Sequence, residues 1–435
     1  MLVGGGQRAG ARRWFGDGAW LLAGASVNGL AAYAYLALGT RTYGASDFVA
    51  VSVLWSIWAV TGAAVVFPIQ HEVTRRLESG RGEAPVRDIV APLIGVVVVL
   101  AIAVALIAVV LAEPLFGSDA MLNPIMAGWI VVGAGLSGLV RGALGGRRRF
   151  VATGLAIGAE NVARLAGALV VVIVGMGVEA YTIALGLGPV AMLVWVGSLR
   201  FRDTGSSLAG ERGVTGLGRT FGGLAGAAVM SQVVLTSSPV VLALTGGAAA
   251  SVTSLFAALA VFRAPYLLLL GLTARITGTL TRAAVARQEQ RLVQARWLFV
   301  GGSVALAAAF WLFGVTVGDA VLRALFGPTV ALDRVDFGGL AVGSGLAMGG
   351  ILLVLLLLAR GSSSAALAGW LVALVPAAIV LTLAPAGEVT TVVGAFVVAE
   401  CAALVLLTIL DRYVSRAAEG SRRPRTGAAV GGEPA

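Results

Sequence analysis

Residues 89–112 read IVAPLIGVVVVLAIAVALIAVVLA, twenty-four residues without a charge. At about 1.5 Å per residue this run reaches roughly 36 Å as a helix, enough to cross a bilayer with some tilt. Working outward, comparable apolar runs fall near 17–39, 47–70, 122–142, 151–174, 178–198, 221–243, 251–272, 297–318, 337–358, 363–384 and 389–410. The composition agrees: 58% of residues are apolar and 12% charged, against about 25% charged in soluble domains. The pattern predicts an all-α polytopic membrane protein of about twelve transmembrane helices. Arg8, Arg12 and Arg13 precede the first run as in a signal peptide, but an apolar stretch from Gly18 to Gly39 is too long for one and reads as a retained helix.

The net charge of +10 does not point to nucleic acid, because the arginines are short clusters between apolar spans. Their placement sets orientation instead. With the N-terminus cytoplasmic, the inner segments (1–16, 71–88, 141–150, 199–220, 273–296, 359–362 and 411–435) hold 26 arginines. The opposite loops hold three, Arg41, Arg323 and Arg334. Both termini are therefore expected inside. The single Cys401 excludes an intrachain disulfide, and with only His71 beside it no Cys/His metal site or metal cofactor is expected.

The chain also repeats itself. Leu115-Phe116-Gly117 recurs as Leu325-Phe326-Gly327, and Gly133-Ala134-Gly135-Leu136 as Gly343-Ser344-Gly345-Leu346, both offset by 210 residues. Ala23-Gly24-Ala25 recurs as Ala225-Gly226-Ala227, and Gly44 as Gly246, both offset by 202. An eight-residue insertion near the second helix reconciles the offsets. Six helices per unit return the chain to its starting side, so the expectation is two parallel six-helix repeats in an N-in/C-in arrangement. The division is a cytoplasmic N-terminus (1–16), an N-terminal lobe (17–198), a flexible cytoplasmic linker (199–220), a C-terminal lobe (221–410) and a disordered basic tail (411–435).

Two motifs imitate enzymes. Gly133 to Gly138 spells G-A-G-L-S-G, but inside an apolar span, where small residues serve helix packing. Gly213-x4-Gly218-Arg219-Thr220 has Arg where a P-loop requires Lys and no strand before it. Lysine is absent altogether, which excludes a Schiff-base enzyme.

Polar groups at membrane depth are costly and mark cavities or partners. Arg263 lies about twelve residues into the eighth span with no local partner. An unpaired guanidinium there should face water or an anionic ligand. Glu160 and Arg164, with Asn161 between them, share a helix face and read as a structural pair or an ion-coupling site. Glu400 reads either as a proton-coupling carboxylate or as the partner of an arginine. Asn28 and Gln232, mid-way in the first and seventh spans, read as cavity groups or interhelical glue.

Two stretches carry a family resemblance: Arg41-Thr42-Tyr43-Gly44-Ala45-Ser46-Asp47-Phe48, and Pro68-Ile69-Gln70-His71-Glu72-Val73-Thr74-Arg75-Arg76. They resemble the first external loop and the end of the second helix in the polysaccharide-transporter branch of the multidrug/oligosaccharidyl-lipid/polysaccharide flippase superfamily. That branch includes O-antigen and teichoic-acid-type exporters and is related to the multidrug and toxic-compound extrusion (MATE) proteins. The resemblance implies a MATE-like pair of lobes around a cavity lined by the first, second, seventh and eighth helices, with alternating access by rocking. It implies a bacterial plasma-membrane protein that exports an anionic lipid-linked oligosaccharide or polysaccharide precursor alongside glycan-assembly enzymes. Arg263 would then face the cavity with Asn28 and Gln232, and Arg41 would lie at its external mouth. A cation-coupled small-molecule exporter and a membrane-embedded glycan enzyme are the alternatives.

Overall fold

In hydrocarbon every backbone N–H must be satisfied within its own segment, so apolar runs of this length become helices. The computed structural model describes residues 5–78, 83–117, 120–201, 226–385 and 387–420, and no strand occurs among them. The first half contains α1 (Gly5–Asp47), α2 (Val49–Thr61 and Phe67–Glu78, joined by a π turn at Gly62–Val66), α3 (Ala84–Val110), α4 (Leu122–Gly146), α5 (Phe150–Val174) and α6 (residues 178–199, ending in a 3₁₀ stretch). The second contains α7 (Gly226–Thr236 and Ser238–Leu244), α8 (Ala249–Val285), α9 (Glu289–Phe326), α10 (Arg334–Ala359), α11 (Ser363–Leu383) and α12 (Val389–Gly420). Ten of these are long and apolar enough to cross a membrane among the described residues, and Ala249–Arg263 of α8 forms a shorter apolar segment.

The order of the spans is as expected, but several helices outrun them. α8 continues to Val285, α9 starts at Glu289, and α12 runs to Gly420. Hydropathy marks only the hydrocarbon-facing part of a helix, while its polar ends continue where they find partners. Residues 411–420 are accordingly helix rather than disordered tail, and Asp411 and Ser415 are buried. Residues 202–220 of the expected linker, with the P-loop-like motif, and residues 421–435 of the tail lie outside the described residues.

The backbone repeats with the sequence. Positive φ values occur in matched pairs: Gly44 (80°), a break near the end of α1, and Gly246 (87°), and after corresponding helices Gly117 (66°) and Gly327 (98°), Gly175 and Gly387 (both 76°), and Arg148 (56°) and Gly361 (77°). Gly117 and Gly327 end the repeated Leu-Phe-Gly triplets. The triplet repeats because both halves stop a helix there in a conformation that a Cβ disfavours.

The fourth helix of each half is the most enclosed. α4 packs against α2, α3 and α6, and α10 against α8, α9 and α12. Their glycines allow this. A Cβ at Gly133 would fall 2.1 Å from Pro189, and one at Gly345 would fall 2.6 Å from the Ala307 backbone. Without a hydrophobic drive between helices in lipid, such close van der Waals contact is what holds them. G-A-G-L-S-G is therefore a packing surface.

Ion pairs tie down the arginine-rich end, again in parallel. Arg147, capping α4, pairs with Glu83 at the start of α3 (2.8 Å); Arg360, capping α10, pairs with Glu289 at the start of α9 (2.7 Å). In the second half the cluster goes deeper. Asp411 is fully buried and accepts from Arg296 (3.0 Å) and Arg360 (2.6 Å), while Ser415 donates to Glu289 (2.6 Å). Burial opposes the charge on Arg360, but Glu289 and Asp411 outweigh it and hold that guanidinium above its ordinary value.

Candidate functional site

Polar groups collect in two places. In the first half, Glu160 and Arg164 project from one face of α5, an i,i+4 pair at 2.8 Å. Arg164 is fully buried and all three of its nitrogens donate: Nη2 to Glu160, Nη1 to Asn161 Oδ1 (2.5 Å) and Nε to the Leu185 carbonyl (3.0 Å). Its guanidinium lies 4.6 Å from the Trp58 ring centre and 5.6 Å from that of Trp55. Glu160 also accepts from Trp58 Nε1 (2.9 Å) and pairs with Arg141. Asn161 donates to the Asn28 carbonyl (3.1 Å), which brings Asn28 into the same group, though by its backbone; the Asn28 side-chain oxygen is buried without a partner. One carboxylate thus joins α2, α4 and α5 and serves two guanidiniums, leaving a net positive charge.

Arg141 and Trp58 escape a reading by spacing. The arginine cluster at 147–149 draws Arg141 into a cytoplasmic loop of 141–150, but α4 continues to Gly146 and keeps Arg141 inside the bundle, beside Glu160. The usable signal was the carboxylate itself, which has more acceptor sites than one arginine can fill.

The second place lies in the other half, against the first. Arg263 on α8 is half-buried, stands beside Tyr33 of α1 and Tyr266 of its own helix, and makes no ion pair or hydrogen bond among the described residues. Tyr33 donates to the Ala260 carbonyl across the two halves. Gln232 on α7 donates to the Tyr266 hydroxyl (2.7 Å). Glu400 on α12 is fully buried, and neither carboxyl oxygen has a hydrogen-bond partner. No arginine pairs with it among the described residues. The indole N–H of Trp370 is likewise buried without a partner, and Gly350 leaves space beside both: a Cβ there would be 3.4 Å from the Trp370 ring and 3.9 Å from Glu400 Oε2. The structure therefore brings Arg263, Tyr266, Gln232 and Tyr33 together, and Asn28 with Glu160 and Arg164.

Arg41 is placed differently. It ends α1 on the arginine-poor side and reaches across to the C-terminus of α9. There Nε donates to the Leu325 carbonyl (3.1 Å) and Nη2 to the Ala324 carbonyl. The last carbonyls of a helix lack intrahelical partners and sit at its negative end, so a guanidinium fits there. The Ser52–Thr253 hydroxyl contact (3.4 Å) and the packing of the short helix Ala112–Phe116 against Ser238–Leu244 join the halves on the same side. The ion pairs described at the arginine-rich end stay within one half. Among the described residues, the polar contacts that join the ends of the two halves lie on the arginine-poor side.

No family model matches the chain, and no curated protein matches it in sequence. Solved structures share its fold. An inward-facing multidrug resistance MATE family transporter of the MOP superfamily superposes with a TM-score of 0.69, covering 91% of this chain and 96% of that one at 16% identity. The inward closed form of the lipid II flippase MurJ gives 0.59 over 89% and 88% at 14% identity. An outward-facing MATE transporter gives 0.57 over 93% and 97% at 16%. At these identities the likeness is one of fold: this chain is a polytopic membrane protein with a MATE-like fold, and the structures it resembles are transporters and a flippase.

Proposed function

We propose that this protein is a membrane transporter of two six-helix lobes that exports an anionic lipid-linked oligosaccharide or polysaccharide precursor across the bacterial plasma membrane by alternating access. The arginine-rich end is cytoplasmic, and the polar contacts that join the ends of the lobes among the described residues are external. The observation that carries the reading is Arg263, whose guanidinium is buried at membrane depth against the opposite lobe, with no acceptor among the described residues. Such a cation is costly unless an anion or water meets it, and its paired donors suit the oxygens of a pyrophosphate-linked carrier. The likeness to the lipid II flippase MurJ supports the substrate class. Asn28 and Gln232 are assigned as supporting cavity groups, and glycan-assembly enzymes as partners. Reconstituted into proteoliposomes, the protein exposes an undecaprenyl-linked glycan on the far leaflet; no protein-dependent exposure of any such glycan overturns the reading.

A second reading, a cation-coupled small-molecule exporter, is favoured by Glu400, a buried carboxyl left without a hydrogen bond, and by the likeness to multidrug MATE transporters. Under it, overexpression lowers drug accumulation in cells and Glu400→Gln restores it, with no glycan exposure in liposomes.

A further inference from the structure

At the arginine-rich end of the second half, the Trp297 ring of α9 has two guanidiniums near it. Arg296, at 5.8 Å from the ring centre, is buried and neutralised by Asp411. Arg412 of α12, at 4.7 Å, is exposed and has no ion pair among the described residues. Asp411 thus holds the guanidinium of Arg296, and its neighbour in α12, Arg412, brings a second one to the same indole. Arg416, one helical turn further on the same face, is exposed and also without an ion pair among the described residues.

Below the two arginines the same face of α12 turns apolar. Ile409 and Val405, three and seven residues before Arg412, are 53% and 56% exposed. On α9 the face below Trp297 continues through Gly301, where a side chain would meet open space, to Val304, which is 53% exposed. The neighbouring faces of α9 and α12 are thus exposed and apolar at acyl-chain depth, carry an indole above that, and are cationic where the helices leave the hydrocarbon. Trp occupies the membrane–water boundary, and guanidinium offers paired donors to phosphate with little hydration to lose. In the first half the guanidinium that meets a ring is not free: Arg147 lies 5.0 Å from the Phe201 ring but is taken up by Glu83 and the Ser198 and Arg200 carbonyls.

We infer that this surface of α9 and α12 is a binding site for one anionic glycerophospholipid. Its headgroup phosphate lies on Arg412 and Arg416, and an acyl chain lies along Gly301, Val304, Val405 and Ile409. The site is separate from Arg263 and does not rest on the transport reading.

Trp297 serves as the reporter. The full chain is reconstituted with brominated phosphatidylglycerol or brominated phosphatidylcholine, and the quenching lost in Trp297→Phe is assigned to that residue among the nine tryptophans. With two arginines at the headgroup level, half-quenching is expected at about thirtyfold lower mole fraction of phosphatidylglycerol than of phosphatidylcholine. The two lipids become equivalent in Arg412→Ala/Arg416→Ala. Should the double variant not fold, the single Arg416→Ala variant and the wild type at high salt must each lose most of the preference. Equal quenching of the wild type by both lipids overturns the assignment. So does a preference that survives in the double variant, or one abolished by millimolar inorganic phosphate, which would mark a small-anion site.

Discussion

Replacing Glu160 by Ala removes the only carboxylate in contact with Arg164 and Arg141 among the described residues. Arg164 has no solvent-exposed side-chain surface and Arg141 has 15%, so water relieves neither fully. Removing one partner from a buried ion pair costs about 3–5 kcal/mol, and the Trp58 N–H loses its acceptor as well. Taking about 4 kcal/mol in all, and about 2–4 °C per kcal/mol for a unit of some two hundred residues, the first half should unfold roughly 10 °C lower. Thermal unfolding in mild detergent, followed by tryptophan emission, measures this. Glu160→Gln keeps the volume but not the charge, and should lose nearly as much. Glu160→Ala combined with Arg164→Met removes the more deeply buried cation together with its partner, and should recover a large part. If Glu160→Ala melts within a degree or two of the wild type while transport is lost, Glu160 is an ion-coupling residue and the structural account is wrong.

Arg263 has no protein acceptor to lose among the described residues, so Arg263→Ala should leave membrane insertion and the melting temperature unchanged while abolishing transport. Full activity in that variant removes it from the mechanism. Arg41→Ala should favour the state open at the arginine-poor end. Two exposed donor contacts at a helix C-terminus are worth about 1 kcal/mol, or about a fivefold shift in population. In a background of Cys401→Ser and Thr253→Cys, an impermeant maleimide should label position 253 faster by that factor, and an unchanged rate refutes the fastening role. Asp411→Ala strands Arg296, leaves Arg360 with Glu289 alone, and should cost about 3–5 kcal/mol in the second half. A melting temperature within a degree of the wild type would show that the cluster at the end of α12 contributes little.

Properties that act along one dimension were legible in the chain. The spacing of apolar runs predicts the helices because lipid demands that each segment satisfy its own backbone. The repeated Leu-Phe-Gly and the Gly44/Gly246 pair mark helix stops that the backbone does repeat, and the glycines of G-A-G-L-S-G are small because neighbouring helices press on them. The pairing of charges depends on which helix face meets which neighbour, and spacing holds no record of that. Arg141 reads as a loop residue until α4 carries it to Glu160. Asp411 reads as the start of a tail until Arg296 and Arg360 close on it. Arg41 finds the end of α9, 284 residues away, and Glu400, for which an arginine partner was one expectation, has none among the described residues. The sequence alone determined that this chain lives in a bilayer as paired sets of helices, because hydrophobicity and helix length are local. Only the tertiary structure decided which buried charges are neutralised and which stay free to meet a ligand, because that depends on how helices rotate and pack against each other.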